Sequence, residues 1–216
     1  MKIPTKFSMG CLLAFVAVAP LRAQTASQLE VHGATVSNTT YQGKQAVRID
    51  ALPAAANGES YAIVKGSHFH NGTIEVDLAG KPAANAGEGA RGFIGIAFRM
   101  QGNRYEYIYL RPTNGRIDDQ VRRNHSTQYA SQPDYDYDRL RKESPEKYES
   151  YVDLEPGVWT RYRIVIQGTK ARLYVHDAAQ PCLVVDDLKH GDSEGSVVLW
   201  VGPGTEGYFA NLKITQ

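Results

Sequence analysis

The stretch Trp159-Thr-Arg-Tyr-Arg-Ile-Val-Ile-Gln-Gly-Thr-Lys-Ala-Arg-Leu-Tyr-Val-His176 decides the fold class. Between Arg161 and Ile166, the side chains of Tyr162, Ile164 and Ile166 share one phase of a two-residue period. Arg161, Arg163 and Val165 share the other. After Gly168-Thr169, Leu173 and Val175 oppose Arg172, Tyr174 and His176. Successive side chains of a strand point to opposite faces, so this pattern puts one face on a core and the other in solvent. Gly168 supplies the backbone freedom for a turn between the two runs. The segment reads as an antiparallel hairpin with one buried face.

The same pattern recurs on both sides of it. Ala46–Ile49, Tyr61–Val64, Gly72–Leu78, Phe93–Met100, Tyr105–Arg111, Ser196–Val201 and Tyr208–Ile214 are short apolar or alternating runs separated by Gly, Pro, Asn and Asp. Asn71-Gly72 is a further turn, and no period of 20 to 50 residues repeats. Only the stretch from Arg139 to Glu149 suits a short helix, and Pro145 interrupts it. The expectation is an all-β sandwich of two antiparallel sheets. Trp159, Ile164, Ile166, Leu173, Val175 and Phe98 are its expected core.

The N-terminus reads differently. Lys2 and Lys6 precede an apolar run of about nine residues, Cys11 to Ala19, and Pro20-Leu-Arg-Ala23 follows. This is the layout of a secretory signal peptide cleaved after Ala23. The run is too short to cross a bilayer, which takes about 20 residues. Residues 1–23 are therefore expected to be removed, leaving one domain over residues 24–216 that is exported to the periplasm or beyond. Cleavage removes Lys2, Lys6 and Arg22 and leaves 21 basic against 23 acidic residues. No basic excess points to nucleic acid, and no later segment suits a membrane span. Cys11 leaves with the leader, so Cys182 has no partner for an intramolecular disulfide and reads as a buried filler.

Two features suggest chemistry. In Tyr105–Arg111, Glu106, Ile108 and Leu110 share one face, while Tyr105, Tyr107, Tyr109 and Arg111 form a row on the other, about 6.6 to 6.8 Å apart. Aromatic rings on an open sheet face are platforms for the C–H faces of sugar rings. Directly after this row, residues 111–151 form a charged connection that also carries five tyrosines. A connection of that length in a compact domain is functional or disordered, and its tyrosines argue against disorder. The expected binding residues are Tyr105, Tyr107, Tyr109, Arg111, Asn114, Arg122 and Arg123, since guanidinium groups fork hydrogen bonds to carboxylates or vicinal hydroxyls. If the protein is an enzyme, His125 and Asp119 are the expected acid–base pair. Tyr107, Tyr109, Arg111, Asp119, Arg122 and His125 are expected to line one concave cleft. A self-satisfied, salt-bridged loop is the alternative.

Metal signals are thin. Asp134, Asp136 and Asp138 alternate as calcium ligands do, but an EF-hand needs Gly at its sixth position and Glu at its twelfth, where Pro145 stands. His68 and His70 have no third ligand nearby in sequence. No metal is assigned, and calcium remains the one candidate cofactor. Nucleophile-elbow, phosphate-loop and dinucleotide-binding motifs are missing from the sequence.

Gly92-Phe-Ile-Gly-Ile-Ala-Phe-Arg99, Tyr105–Arg111, Leu154-Glu-Pro-Gly-Val-Trp159 and Gly207-Tyr-Phe-Ala-Asn-Leu212 together resemble the concanavalin A-like lectin/glucanase superfamily. Within it they look like the laminin-G-like and 3-keto-disaccharide hydrolase domains of secreted bacterial proteins. The resemblance spans most of residues 29–216 and implies a jelly roll whose concave sheet binds glycans. Laminarinase-type members carry E-x-D-x-x-E; here Glu75 and Asp77 begin it, but Gly80 replaces the last glutamate, so that catalysis is not carried over. Three readings remain open: a carbohydrate-binding domain, a glycoside-active hydrolase or polyuronate lyase, and a laminin-G-like protein-interaction domain.

Overall fold

A computed structural model describes residues 24–53 and 60–216; the expected signal peptide, residues 1–23, lies outside the described residues. The chain runs through β1 (Leu29–His32), β2 (Ala34–Tyr41), β3 (Lys44–Ala51), β4 (Ser60–Val64), β5 (Gly72–Pro82), β6 (Ile94–Gln101) and β7 (Arg104–Leu110). Then come α1 (Gln120–Asn124), β8 (Thr127–Gln132), α2 (Tyr137–Glu143) and β9 (Glu149–Ser150). It closes through β10 (Thr160–Gln167), β11 (Lys170–Val175), β12 (Leu183–Val185), β13 (Ser196–Val201) and β14 (Thr205–Thr215). Among the described residues no helix is long and apolar enough to cross a membrane.

The strands form two seven-stranded antiparallel sheets. The front sheet has the order β1-β4-β13-β6-β7-β8-β9, and the back sheet β12-β11-β10-β5-β14-β3-β2. Late strands insert between early ones, β13 beside β4 and β6, β14 beside β3 and β5. That interleaving makes a jelly roll.

The hairpin phase is as read: Tyr162, Ile164 and Ile166 of β10 and Leu173 and Val175 of β11 are buried, with Ile164 opposite Leu173. They meet Ile94, Ile96 and Phe98 of β6 and Ile108 and Leu110 of β7 in one core. The Tyr162 hydroxyl crosses that core and donates to the Ile108 carbonyl at 2.7 Å, fastening back sheet to front. A buried hydroxyl needs such a partner. Gly168 sits at φ 56°, the left-handed conformation that its turn demands.

Trp159 departs from expectation. It is half-buried on the outer surface of the back sheet, where it meets Tyr41 edge-on at 5.7 Å and donates from Nε1 to the Tyr41 carbonyl at 3.2 Å. The two-residue period gives the reason: Trp159 shares the phase of Arg161, not that of Tyr162. The charged connection is also not a loop. It contributes β8 and β9, which extend the front sheet beyond β7, and the two helices. Strand β8 reads Thr-Gln-Tyr-Ala-Ser-Gln and hides its phase because its residues are buried on both faces yet mostly polar. Its Tyr129 is fully buried opposite Ile108. Helix α2 starts two residues before Arg139, capped by Asp136, and ends ahead of Pro145.

Cys182 is partly buried, with Sγ 3.5 Å from the Leu173 carbonyl oxygen, and burial raises its thiol pKa to about 11. The thiolate is the reactive form, so labelling of the native protein by a thiol reagent at pH 7 is expected to be slow and to accelerate on unfolding. Ile164 has no exposed surface. Ile164→Ala is expected to cost about 2 to 5 kcal/mol in urea denaturation; a change below about 0.5 kcal/mol would contradict the register described.

Candidate functional site

The outer face of the front sheet carries the row seen in the sequence. Tyr105, Tyr107 and Tyr109 project from β7, and Arg111 stands just beyond its end. Trp200 projects on the same side from β13, two strands away. Adjacent strands are spaced about 4.8 Å apart, so rings two strands apart would normally be separated by nearly twice that. The Trp200 centroid is nevertheless 5.0 Å from that of Tyr109 and 5.1 Å from that of Tyr107. The intervening position on β6 is Gly95, in register with both Trp200 and Tyr109, followed by Ala97 opposite Tyr107. A Cβ on Gly95 would lie 2.2 Å from the Ile108 carbonyl oxygen and 2.6 Å from the Tyr109 Cα. The bare strand lets the aromatic side chains close over it.

The rings lean on one another rather than lying open. Tyr107 and Tyr109 stack at 5.5 Å with planes 16° apart, and Tyr105 meets Tyr107 at 5.3 Å. The three tyrosines are therefore only 1–5% exposed and Trp200 8%. This corrects the expectation of flat, open platforms: the rings are largely buried against one another, and only their remaining surface forms the floor of the cleft.

That floor underlies a cleft of about 800 Å³, inside the range typical of ligand sites. One wall is Arg91, Phe93, Pro203 and Gly204; another is Gln132, Asp136, Tyr137 and Arg141; Asn114, Arg122 and His125 close the end near Arg111. The structure thus brings together Tyr105, Tyr107, Tyr109, Arg111, Asn114, Arg122 and His125 from the sequence reading. It leaves Asp119 and Arg123 outside. Asp119 is exposed and caps α1, its Oδ1 accepting the Arg122 backbone N–H at 3.1 Å. A carboxylate serving as an N-cap is spent locally. Arg123 turns to Tyr151, donating to its hydroxyl at 3.0 Å and covering its ring at 5.1 Å.

Behind the cleft lies Glu149, its side chain 3% exposed. Its Oε1 accepts from Arg111 Nη1 at 3.0 Å and from Arg141 Nη2; Oε2 accepts from Arg141 Nε at 2.9 Å. Burial alone would raise its pKa, but Arg141 and Arg111 outweigh burial and hold the carboxyl below its ordinary value. Arg111 also donates to the His125 carbonyl, the Tyr109 hydroxyl and Gln128 Oε1, at 3.0, 2.9 and 2.8 Å. With so many acceptors and only 6% exposure, Arg111 is scaffold for the cleft more than a free arm. His125 Nε2 stands 3.6 Å from Glu149. Burial lowers the His125 pKa, Arg141 and Arg111 add to that, and Glu149 offsets only part. At neutral pH the ring is an uncharged proton acceptor.

Two of the three aspartates considered for calcium are otherwise employed: Asp136 caps α2 through the Arg139 N–H at 2.8 Å, and Asp138 pairs with Lys142 at 2.6 Å. His68 and His70 pair with Glu194 and Asp192 at 3.4 and 2.7 Å. Among the described residues no group of three or more His, Cys, Asp or Glu converges as a metal site would require. Glu75 and Asp77 lie on the outer face of the back sheet, across the sandwich from the cleft, bound to Arg161 at 2.8 Å and Lys44 at 2.7 Å. Residues that sequence reasoning missed are Trp200, Arg91, Phe93, Gln132, Tyr137 and Arg141. Trp200 alone carried a signal, an aromatic on the phase opposite Leu199 and Val201.

Compared by sequence, the chain matches no family model and no curated protein. Compared by structure, it is similar to the carbohydrate-binding module CBM66 from Bacillus subtilis, with a TM-score of 0.59 at 13% identity, covering 86% of this chain and 93% of that one. It is also similar to a Bacillus subtilis protein of unknown function with a galectin-like fold, with a TM-score of 0.53 at 8% identity, covering 86% and 88%. The fold is that of the concanavalin A-like lectins and glucanases. Within this fold the sheet order, with β13 inserted between β4 and β6, is what carries Trp200 to the tyrosine row.

Glu149→Gln leaves Arg111 and Arg141 without their counter-charge and is expected to cost about 3 to 5 kcal/mol at pH 7. Because the folded-state pKa is depressed, this contribution is complete above the unfolded glutamate value and is lost as pH falls through the folded one. Urea denaturation of both proteins across pH 7 to 2 checks it. The stability gap is expected to narrow only at acid pH, and a gap that does not depend on pH would exclude the charge as its source.

Proposed function

We propose that this exported domain binds a glycan in the front-sheet cleft. The observation that carries the reading is the cleft itself: a floor of Trp200, Tyr107 and Tyr109 ringed by the donors of Arg91, Arg122, Asn114 and Gln132. Sugars present C–H faces to aromatic groups and hydroxyls to such donors, and an aromatic floor with a few polar groups is how small-ligand sites are built. The structural neighbour from Bacillus subtilis named as a carbohydrate-binding module lends support at the level of the fold. The Lys2–Ala23 leader supports export, and polysaccharide is met outside the cytoplasm.

A second reading, catalysis on the bound sugar, is favoured by one observation: His125, held neutral, lines the same cleft as the arginines. A neutral imidazole beside guanidinium groups is suited to take a proton from a sugar carbon made acidic by an adjacent carboxylate.

Isothermal titration of residues 24–216 against a panel of oligosaccharides tests the first reading. Trp200→Ala is expected to weaken the best ligand about 10-fold or more, equivalent to 1.4 kcal/mol. Unchanged affinity would remove the cleft from recognition. Mass spectrometry of the incubated ligand tests the second. If products form, His125→Ala is expected to lower turnover about 100-fold while binding survives; intact ligand after prolonged incubation leaves a binding domain.

A further inference from the structure

Building on the glycan reading of the cleft, we infer that its ligand carries an anionic group, a carboxylate or a sulfate, and that Arg91 and Arg122 hold it. Four guanidinium groups line the cleft, those of Arg91, Arg111, Arg122 and Arg141. Two of them are committed. Arg111 and Arg141 share the buried carboxylate of Glu149. The other two are not. Among the described residues neither Arg91 nor Arg122 has a carboxylate oxygen within 4.0 Å, the ion-pair limit that the paired arginines satisfy. Arg122 Nη2 donates to Asn114 Oδ1 at 3.3 Å, and Arg91 Nη1 donates to the carbonyls of Glu88 and Ala90. These acceptors orient the two side chains and leave their charge standing.

Asp136, the acid that lines the cleft, is turned to the N-terminus of α2. The excess is local, because the whole chain holds 24 basic and 23 acidic residues. Both side chains are half-buried, so water screens them only in part. Like charges set close together at a partly dry wall repel each other and weaken the fold unless an anion completes the set. The Arg91 pKa reflects this strain: burial lowers it first, and the charges of Arg122 and Arg111 lower it further. Guanidinium groups fork two hydrogen bonds to a carboxylate or sulfate, which a neutral hydroxyl cannot reciprocate with charge. Arg123 supplies an internal contrast. It too lacks a carboxylate, but it covers Tyr151 outside the cleft and has no ligand to meet.

The experiment is isothermal titration of the full mature chain with matched oligosaccharides. Oligouronates are compared with their carboxyl-methylated forms, sulfated oligosaccharides with their desulfated forms, and unmodified neutral oligosaccharides complete the set. The expected result is that an acidic member binds at least about 10-fold more tightly than its neutral twin. That preference is expected to fall away on raising salt from about 0.05 to 0.5 M. Arg91→Gln with Arg122→Gln is expected to abolish the preference, weakening the acidic members at least about 10-fold more than their neutral twins, and Arg91→Lys to retain part of it. Arg123→Gln is expected to change nothing, which separates the pair from general surface charge. Thermal melts establish that each variant is folded. Whether the uronate or the sulfate pair shows the effect assigns the anion. Neutral members binding as tightly as acidic ones would overturn the inference and leave the glycan reading intact. Binding of an acidic member that the double variant leaves untouched would overturn the assignment to Arg91 and Arg122. No binding by any member would overturn both.

Discussion

The carboxylate of Glu149 is the point on which the cleft depends. It sits on β9, a two-residue edge strand, and reaches Arg111 at the end of β7, Arg141 in the last turn of α2 and the ring of His125 beyond α1. Segments separated by up to 38 residues are thereby gathered around one buried charge. Burying a carboxylate is unfavourable unless its oxygens are fully matched, and the guanidinium forks match them. The same pairing explains how a stretch so rich in charge orders itself as the margin of a sheet. Arg111 and Arg141 are drawn inward to Glu149, while Arg116, Arg139, Lys142 and Lys147 pair with acids nearer the surface.

The two outer faces of the sandwich follow opposite logics. On the back sheet, Lys44, Asp77, Arg161 and Glu75 interlock across neighbouring strands, as do Arg48, Glu206 and Lys81. Tyr41 and Tyr208 stack at 3.7 Å among them. Most of the charge there is answered within the chain, and Arg163, which has no carboxylate partner among the described residues, lies over the Tyr174 ring at 3.8 Å. On the front sheet, aromatic groups make the floor and two arginines at the rim are answered by neutral acceptors only. The front face is the candidate site because its unpaired arginines line a cleft with an aromatic floor.

Strand phase was the most legible property of the sequence, because a two-residue period is a direct consequence of backbone geometry. It placed Ile164, Leu173 and Phe98 inside, and even Glu106, whose carboxylate is buried beneath β7 with bonds from the Tyr129 hydroxyl and the His190 N–H. It misled only where it was not followed, at Trp159. Half of the site was legible for the same reason: Tyr105 to Arg111 is one row on one strand, and Asn114, Arg122 and His125 follow within a short reach of chain. The rest was not. Arg91 and Trp200 approach that row because of sheet order, a long-range property with no local pattern. Asp119 and Arg123 share the chemistry of the site residues and were separated from them by the turn of a five-residue helix. Strand β8 was hidden because its mostly polar residues are buried on both faces and show no apolar alternation, and β9 because it is two residues long.

Gly80 occupies the position of the third acid in the laminarinase pattern. A Cβ there would lie 2.4 Å from the carbonyl oxygen of Gly92 and 2.7 Å from Ile94. The backbones of β5 and the segment entering β6 touch at this point, so the closure of the sandwich at that end is built on the missing side chain. A single exchange to glutamate would wedge the sheets apart, pressing on the segment whose Arg91 and Phe93 line the cleft. Side chains are therefore closed out of that end of the sandwich, where the backbone of β5 and the segment entering β6 touch directly.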